Sequence, residues 1–177
     1  MKLSKNEYYM GIAKEVAKGS TCLRRKIGAV IVRDDQIVST GYVGAPRKTR
    51  ACPDRKSCLR NELKIPSGQR YELCRSVHAE ANAIINAGRA GVSFLGGNMY
   101  IWGSNADESL INAFPCFFCK RMIVNAGIRN VFCSMKNESI QVFSVATWQE
   151  EWTHNDIIDD KEQYGQSLNG LKKSDPA

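Results

Sequence analysis

The sequence lacks any apolar run long enough to cross a membrane. Its longest apolar stretch covers only residues 27–32, whereas a membrane-spanning helix needs about 20 apolar residues. The first residues contain no apolar segment of the kind found in secretion signals, and no repeat or linker divides the chain. These absences predict one soluble, cytoplasmic domain over residues 1–177, with a polar, frayed tail over residues 163–177.

The sequence also lacks the even set of cysteines that is typical of a disulfide framework. Of its seven cysteines, Cys116 and Cys119 form a Cys-x-x-Cys pair, which without a secretion signal favours metal binding. Acidic residues are outnumbered, and the net charge of +7 suits an anionic partner such as a nucleotide. A glycine-rich phosphate loop is missing too, so a phosphate would be held by side chains.

Apolar periodicity predicts the order of helices and strands. Helices are expected over residues 4–18, 78–87 and 115–126, strands over residues 27–33, 36–42, 98–103 and 131–133, and a strand fragment followed by a helix within residues 139–154. Strands that alternate with helices favour an α/β fold of three layers, α/β/α, around a central mixed sheet of about five strands.

A long polar segment, residues 44–76, follows the second predicted strand and is called the charged loop below. Loops of this length are uncommon in compact domains and are usually functional or tied down. The basic candidates for binding a phosphate precede the first strand or lie in this loop: Arg24, Arg25, Lys26, Arg47, Lys48, Arg50, Arg55, Lys56 and Arg60. The sequence does not single out one of them.

Two short motifs carry the chemistry. His-Ala-Glu at residues 78–80 begins one predicted helix, and Pro-Cys-Phe-Phe-Cys at residues 115–119 begins another. A proline just inside the helix start would put both cysteines in the first turn on one face, where the positive helix end favours thiolates. With the imidazole of His78 they make three protein ligands for zinc, and an open fourth position is typical of a catalytic site.

Glu80 is predicted to move protons rather than to bind the metal. Zinc lowers the pKa of a bound water to roughly 7, so hydroxide is available to attack a ring carbon that bears an amino group. A carboxylate beside that water can take its proton, pass it to the ring nitrogen and then protonate the leaving ammonia. The alternative interpretation is a structural zinc site, or cysteines that only pack in the core.

Together the two motifs resemble the signature of zinc-dependent nucleobase deaminases, and the order of elements is similar to the cytidine deaminase superfamily. Residues 27–32, 40–46, 71–80 and 119–127 also resemble the dCMP deaminase family, over about residues 8–133 in all. The resemblance implies a hydrolase acting on cyclic amidines that converts dCMP to dUMP and ammonia and supplies dUMP for thymidylate synthesis. It further implies a homo-hexamer, activation by dCTP with Mg²⁺ at a regulatory site, and inhibition by dTTP. We expect neither a membrane nor a nucleic-acid partner.

The resemblance also implies substrate contacts beside the metal motifs: Val43, Ala45, Ala79, Phe114 and Pro115. Val43 departs from the family, which usually has asparagine there, over the substrate sugar. A valine side chain forms no hydrogen bond, so either the sugar or phosphate preference is altered or a backbone contact replaces the side chain. Phe114 ends a segment that is longer than in the family and is expected either to stack on a base or to pack in the core.

Four further cysteines lie in the charged loop or before the first strand: Cys22, Cys52, Cys58 and Cys74. Members of the dCMP deaminase family often hold a second, structural zinc in these regions, so the resemblance implies a closed site of four thiolates. Such a site would keep the charged loop ordered, and the alternative is free or partly buried thiols. Cys133, inside an apolar strand, is expected to be a core residue.

Three other functions share part of this pattern. A tRNA adenosine deaminase has both motifs and a basic surface, but not the Gly-Tyr-x-Gly-Ala-Pro segment at residues 41–46 or the cysteine-rich loop. A riboflavin-pathway deaminase would carry a reductase domain. A non-catalytic nucleotide sensor is favoured by Val43 alone, and it would have no need of Glu80.

Overall fold

A computed structural model describes residues 3–66 and 68–154, so the predicted tail over residues 163–177 lies outside the described residues. The helices are α1 (Lys5–Ala17), α2 (Cys52–Arg55), α3 (Leu59–Glu62), α4 (Ala79–Arg89), α5 (Phe117–Asn125) and α6 (Val145–His154), and Tyr71–Leu73 forms a 3₁₀ turn. The strands are β1 (Arg25–Arg33), β2 (Gln36–Tyr42), β3 (Asn98–Asn105), β4 (Asn130–Ser134) and β5 (Ile140–Ser144). Within the described ranges, no helix is long and apolar enough to cross a membrane.

The strands form one mixed sheet in the order β2-β1-β3-β4-β5. The pair β3 and β4 is parallel, and the other neighbouring pairs are antiparallel. Asp34 and Asp35 connect β1 to β2 with positive φ angles, as a two-residue hairpin turn requires. The helix α5 makes the crossover that two parallel strands need. It therefore begins beyond the end of β3 and runs back along the sheet.

Alternate side chains of β1 face two separate cores, because successive residues of a strand point to opposite faces. On one face Val30 and Val32 pack with α1. On the other face Ala29 and Ile31 belong to a core that includes residues of α4, α5 and α6. Helices thus cover both sides of one five-stranded mixed sheet, which confirms the predicted three-layer α/β/α fold.

Two glycines set how closely the helices approach the sheet. A Cβ on Gly28 would lie 2.2 Å from the carbonyl oxygen of Ala13 in α1, and a Cβ on Gly41 would lie 2.3 Å from the amide nitrogen of Ala83 in α4. Both contacts are with backbone atoms, which cannot rotate away, so any side chain would push the helix off the sheet. Gly41 therefore fixes the position of the helix that begins with the first motif.

Two helix boundaries differ from the prediction. The helix of the first motif ends at Arg89, later than expected, because the chain reverses only at Gly91, where φ is 65°. The helix of the second motif begins at Phe117, because Cys116 is still extended, with φ of −67° and ψ of 166°. Neither shift changes which motif begins which helix.

The charged loop is less irregular than its length suggests. It contains the short helices α2 and α3 and the 3₁₀ turn. Its two ends are joined by reciprocal backbone hydrogen bonds, in which the amide of Gly44 donates to Val77 over 3.1 Å and the amide of Val77 donates to Gly44 over 2.8 Å. These two hydrogen bonds bring the end of the charged loop back to the start of α4.

Candidate active site

The two motifs meet at the starts of α4 and α5. His78 directly precedes α4 with extended backbone, and Glu80 lies in the first turn. Cys116 has the same place before α5, and Cys119 lies in its first turn. The fully buried Pro115 is therefore outside the helix, which corrects the predicted helix start. Both cysteines nevertheless remain at one helix end.

Three ligand atoms converge within reach of one metal ion. The Sγ atoms of Cys116 and Cys119 each lie 3.4 Å from Nδ1 of His78, and the three ligand atoms are all within 4.8 Å of one another. Tetrahedral zinc, with bonds of about 2.3 Å to sulfur and about 2.0–2.1 Å to nitrogen, would put sulfur and nitrogen about 3.6 Å apart. The donor set fits zinc, and it is the only such group of three in residues 3–66 and 68–154.

Glu80 is buried beside these ligands. Its side chain is 5% exposed, and its carboxylate contacts the thiol of Cys119. Burial raises the pKa of Glu80, and the charge of His78 opposes this only in part. A carboxyl group with a raised pKa can hold and release a proton near neutral pH. Glu80 is therefore suited to proton transfer.

Hydrogen bonds link the side chains of His78, Cys116 and Cys119 and shift their pKa values. The hydrogen bond between the two thiols lowers the pKa of Cys116 and raises that of Cys119. Burial lowers the pKa of His78, but its hydrogen bond to Cys116 and the charge of Glu80 outweigh burial, so the pKa is raised. A divalent cation would displace the protons of these hydrogen bonds, because it binds thiolates and neutral imidazole.

A cavity of about 380 Å³ opens beside the ligands, within the usual size range of small-molecule sites. His78, Glu80 and Cys116 form part of its wall. Apolar residues of the wall include Ile27, Val43, Ala79, Ile111 and Phe114. The site thus combines an acid–base group, a set of metal ligands and an apolar surface for a flat ring.

A family model described as the cytidine and deoxycytidylate deaminase zinc-binding region matches residues 3–135. The chain belongs to this family. It is 33% identical over 126 residues to the deoxycytidylate deaminase of Schizosaccharomyces pombe, and 34% identical over 131 residues to that of a Mycobacterium phage. Each alignment covers 71% of this chain, with 35% of the yeast protein and 91% of the phage protein.

Solved structures of deaminases are similar in fold to this chain. The apo dCMP deaminase of cyanophage S-TIM5 is 26% identical, with a TM-score of 0.53 and coverage of 74% of this chain and 82% of that chain. A cytidine deaminase from Burkholderia pseudomallei has a TM-score of 0.54 at 16% identity, over 80% of this chain and 93% of that chain, and shows the fold alone. The predicted family is thus confirmed.

Val43, which stands where the deaminase family usually has asparagine, is apolar, and its backbone already forms hydrogen bonds. Val43 is 6% exposed and lines the cavity. Its amide donates to the carbonyl of Ile27 over 3.0 Å, and its carbonyl accepts from the amide of Thr21 over 3.0 Å. The amide is therefore not free to replace the missing side-chain contact, and the valine presents only methyl groups.

The other predicted substrate contacts divide into two groups. Ala79 and Phe114 line the cavity, whereas Ala45 and Pro115 do not. Ala45 instead donates its amide to the hydroxyl of Thr21 over 3.3 Å. The ring of Phe114 also packs edge-on against Phe143, with ring centres 5.4 Å apart. Phe114 thus packs in the core and also lines the cavity. Its stacking on a base stays a prediction.

Cys22 and the three cysteines of the charged loop, Cys52, Cys58 and Cys74, line the same cavity. In the described part of the chain, however, no three of them bring their sulfur atoms within 4.8 Å of one another. The sulfur of Cys22 accepts from the amide of Arg24 over 3.4 Å, and that of Cys52 accepts from Arg75 over 3.9 Å. Burial and the neighbouring Cys22 raise the pKa of Cys52. Cys133 is fully buried in β4, as predicted for a core residue.

Sequence reasoning missed Tyr71 and did not distinguish Arg60. The Tyr71 ring packs edge-on against His78, with ring centres 4.8 Å apart. The guanidinium of Arg60 lies 4.6 Å from the centre of the Tyr71 ring. An available signal for Tyr71 was its place at the start of the segment that resembles the deaminase family. Arg60 had no signal of its own among the basic residues of the charged loop.

Proposed function

We propose that this protein is a zinc-dependent hydrolase that converts dCMP to dUMP and ammonia. The observation that carries the proposal is the convergence of three zinc ligand atoms beside the buried Glu80, on the wall of a cavity. The choice of dCMP is supported by a phage relative named deoxycytidylate deaminase, of which this chain covers 91%. The cyanophage dCMP deaminase of similar fold supports it too.

The side chains suggest how the reaction proceeds. Bound zinc would supply an acidified water as the nucleophile near neutral pH. Glu80 accepts a proton from the attacking water and passes it to the ring nitrogen next to the amino-bearing carbon. The same carboxyl then takes the second proton of that water and delivers it to the departing amino group. One carbon–oxygen bond forms and one carbon–nitrogen bond breaks, so one water is consumed and one ammonia is released.

A substrate panel tests the proposal. Ammonia release is measured with cytidine, deoxycytidine, CMP, dCMP and dCTP, each with and without low dCTP and dTTP, and dCMP is expected to give the highest kcat/KM. Inosine formation in tRNA, measured in parallel, would instead indicate an adenosine deaminase. Zinc-loaded protein that releases no ammonia from any cytosine compound would contradict the proposal and favour the nucleotide sensor.

A second, structural zinc at Cys22, Cys52, Cys58 and Cys74 is also part of the proposal. Its support is that all four thiols face one cavity and that a closed thiolate site would order the charged loop. Two zinc ions per chain are expected in the pure protein and one in Cys58→Ser, by elemental analysis. The matched control is Cys133→Ala, a core cysteine that should leave two. One zinc per wild-type chain would remove the second site.

The remaining features rest on the family resemblance. Activation by dCTP with Mg²⁺, inhibition by dTTP, a hexameric assembly, the absence of a nucleic-acid partner and a cytoplasmic location stay predictions. The effector arms of the substrate panel test the regulation. Light scattering of the purified protein tests the assembly.

A further inference from the structure

Arg60 is a buried cation that forms no ion pair with a described acidic residue. It lies in α3 and is 6% exposed. One nitrogen of its guanidinium, Nη2, donates to the carbonyl oxygens of Pro66 and Gln69, each over 2.7 Å. Its Nε has no hydrogen-bond partner, and no carboxylate of the described residues forms an ion pair with it. Buried charges in proteins are normally paired, so within residues 3–66 and 68–154 this guanidinium lacks a counter-ion.

Two further buried donors without a partner belong to residues that line the same cavity as Arg60. The hydroxyl of Ser76, a residue that is 8% exposed, has no partner, and neither does Nη1 of Arg24. All three residues line the cavity that also holds His78 and Glu80. Buried polar atoms without partners are uncommon in folded proteins. Here all three buried side-chain atoms found without a partner in residues 3–66 and 68–154 belong to residues of one cavity wall.

The chemistry of these donors selects an anion. Two guanidinium groups and one hydroxyl can donate several hydrogen bonds, and guanidinium groups bind phosphate in a fixed fork geometry. The carboxylate of Glu72, which follows Tyr71 in the chain, is exposed and is already bonded to Arg70. A phosphate would therefore satisfy the free donors without displacing an existing ion pair.

The place of Arg60 relative to the metal ligands suits a nucleotide. The ring of Tyr71 separates them, since it contacts the His78 ring at 4.8 Å and the Arg60 guanidinium at 4.6 Å. A base at the ligands would thus have its sugar beside the Tyr71 ring and its phosphate near Arg60. The three groups are arranged in the order of the three parts of a nucleoside monophosphate.

We propose that Arg60, Ser76 and Arg24 form the subsite that binds the substrate phosphate and selects a nucleotide over its nucleoside. The proposal rests on the deaminase function proposed above. It assigns the phosphate contact to two of the nine basic candidates, Arg60 and Arg24. The exposed arginines of the charged loop are then solvated charges.

The test compares binding of a nucleotide and its nucleoside, so that it does not depend on turnover. The affinities of dUMP and deoxyuridine are measured by calorimetry for the zinc-loaded wild type, Arg60→Gln and the matched control Arg55→Gln, an exposed loop arginine. In Arg60→Gln the preference for dUMP should fall by about 10²-fold, because an ionic hydrogen-bonded contact is lost. The control should keep the wild-type preference, and Arg60→Lys should restore part of it.

Equal weakening of dUMP and deoxyuridine in Arg60→Gln would overturn the proposal, since Arg60 would then only hold the loop through Pro66 and Gln69. An unchanged preference would overturn it as well. If Arg60→Gln loses its zinc or fails to fold, Ser76→Ala is decisive, with a preference about fivefold lower expected for one lost hydrogen bond. A wild type that prefers dUMP but releases no ammonia from dCMP would refute the proposed function and leave the phosphate subsite intact.

Discussion

The metal-binding corner (His78, Glu80, Cys116 and Cys119) and the charged loop face each other across one cavity, but they are held in place differently. The corner is formed by two helix starts that pack on a five-stranded sheet. The loop contains only helices of four residues and the 3₁₀ turn, and its base is closed by one pair of backbone hydrogen bonds.

This difference places the groups proposed for the reaction and the groups proposed for substrate binding in separate parts of the molecule. In the proposed function, the corner supplies the metal ligands and the proton carrier, and the sheet fixes the relative positions of the helix starts that hold them. The loop contributes Arg60 and Ser76 to the wall of the same cavity. Substitutions in the two regions should therefore have different effects on turnover and on binding.

The largest effect is expected from a change in the corner that leaves the loop intact. Glu80→Gln keeps the shape of the side chain but removes its ability to carry a proton, so kcat for dCMP should fall by about 10²–10⁴-fold. Zinc content, measured by elemental analysis, should stay at the wild-type value, as should the affinity for dUMP. Activity close to that of the wild type would show that another group moves the protons.

The next largest effect tests whether the sheet positions the corner. Gly41→Ala and Gly28→Ala each place a Cβ within 2.3 Å of helix backbone, on opposite faces of the sheet. Both should lower the free energy of unfolding by about 1–3 kcal/mol, measured in urea. Only Gly41→Ala should displace α4 and lower kcat in the folded protein, by as much as about 10²-fold. Equal kcat values for the two variants would mean that the corner tolerates movement of α4.

The same difference explains which features could be predicted from the sequence. The corner was predictable because metal ligands at helix starts leave fixed spacings, such as Cys-x-x-Cys, and the sheet because its strands alternate with amphipathic helices. The predicted start of α5 at Pro115 is two residues too early, since whether a proline lies inside or before a helix depends on the backbone angles of its neighbour. Arg60 was one basic residue among several, because burial and an unpaired Nε arise only from tertiary packing.

The smallest effect concerns Phe114, which lies on the boundary between the corner and the core. Its ring faces the cavity and also packs against Phe143. If it stacks on the cytosine ring, Phe114→Leu should raise KM for dCMP about fivefold, because stacking of a base on an aromatic ring contributes about 1–3 kcal/mol. The control Phe143→Leu alters the same aromatic pair from the core side and should lower stability without changing KM. A rise in KM of equal size in both variants would show that Phe114 acts only through packing.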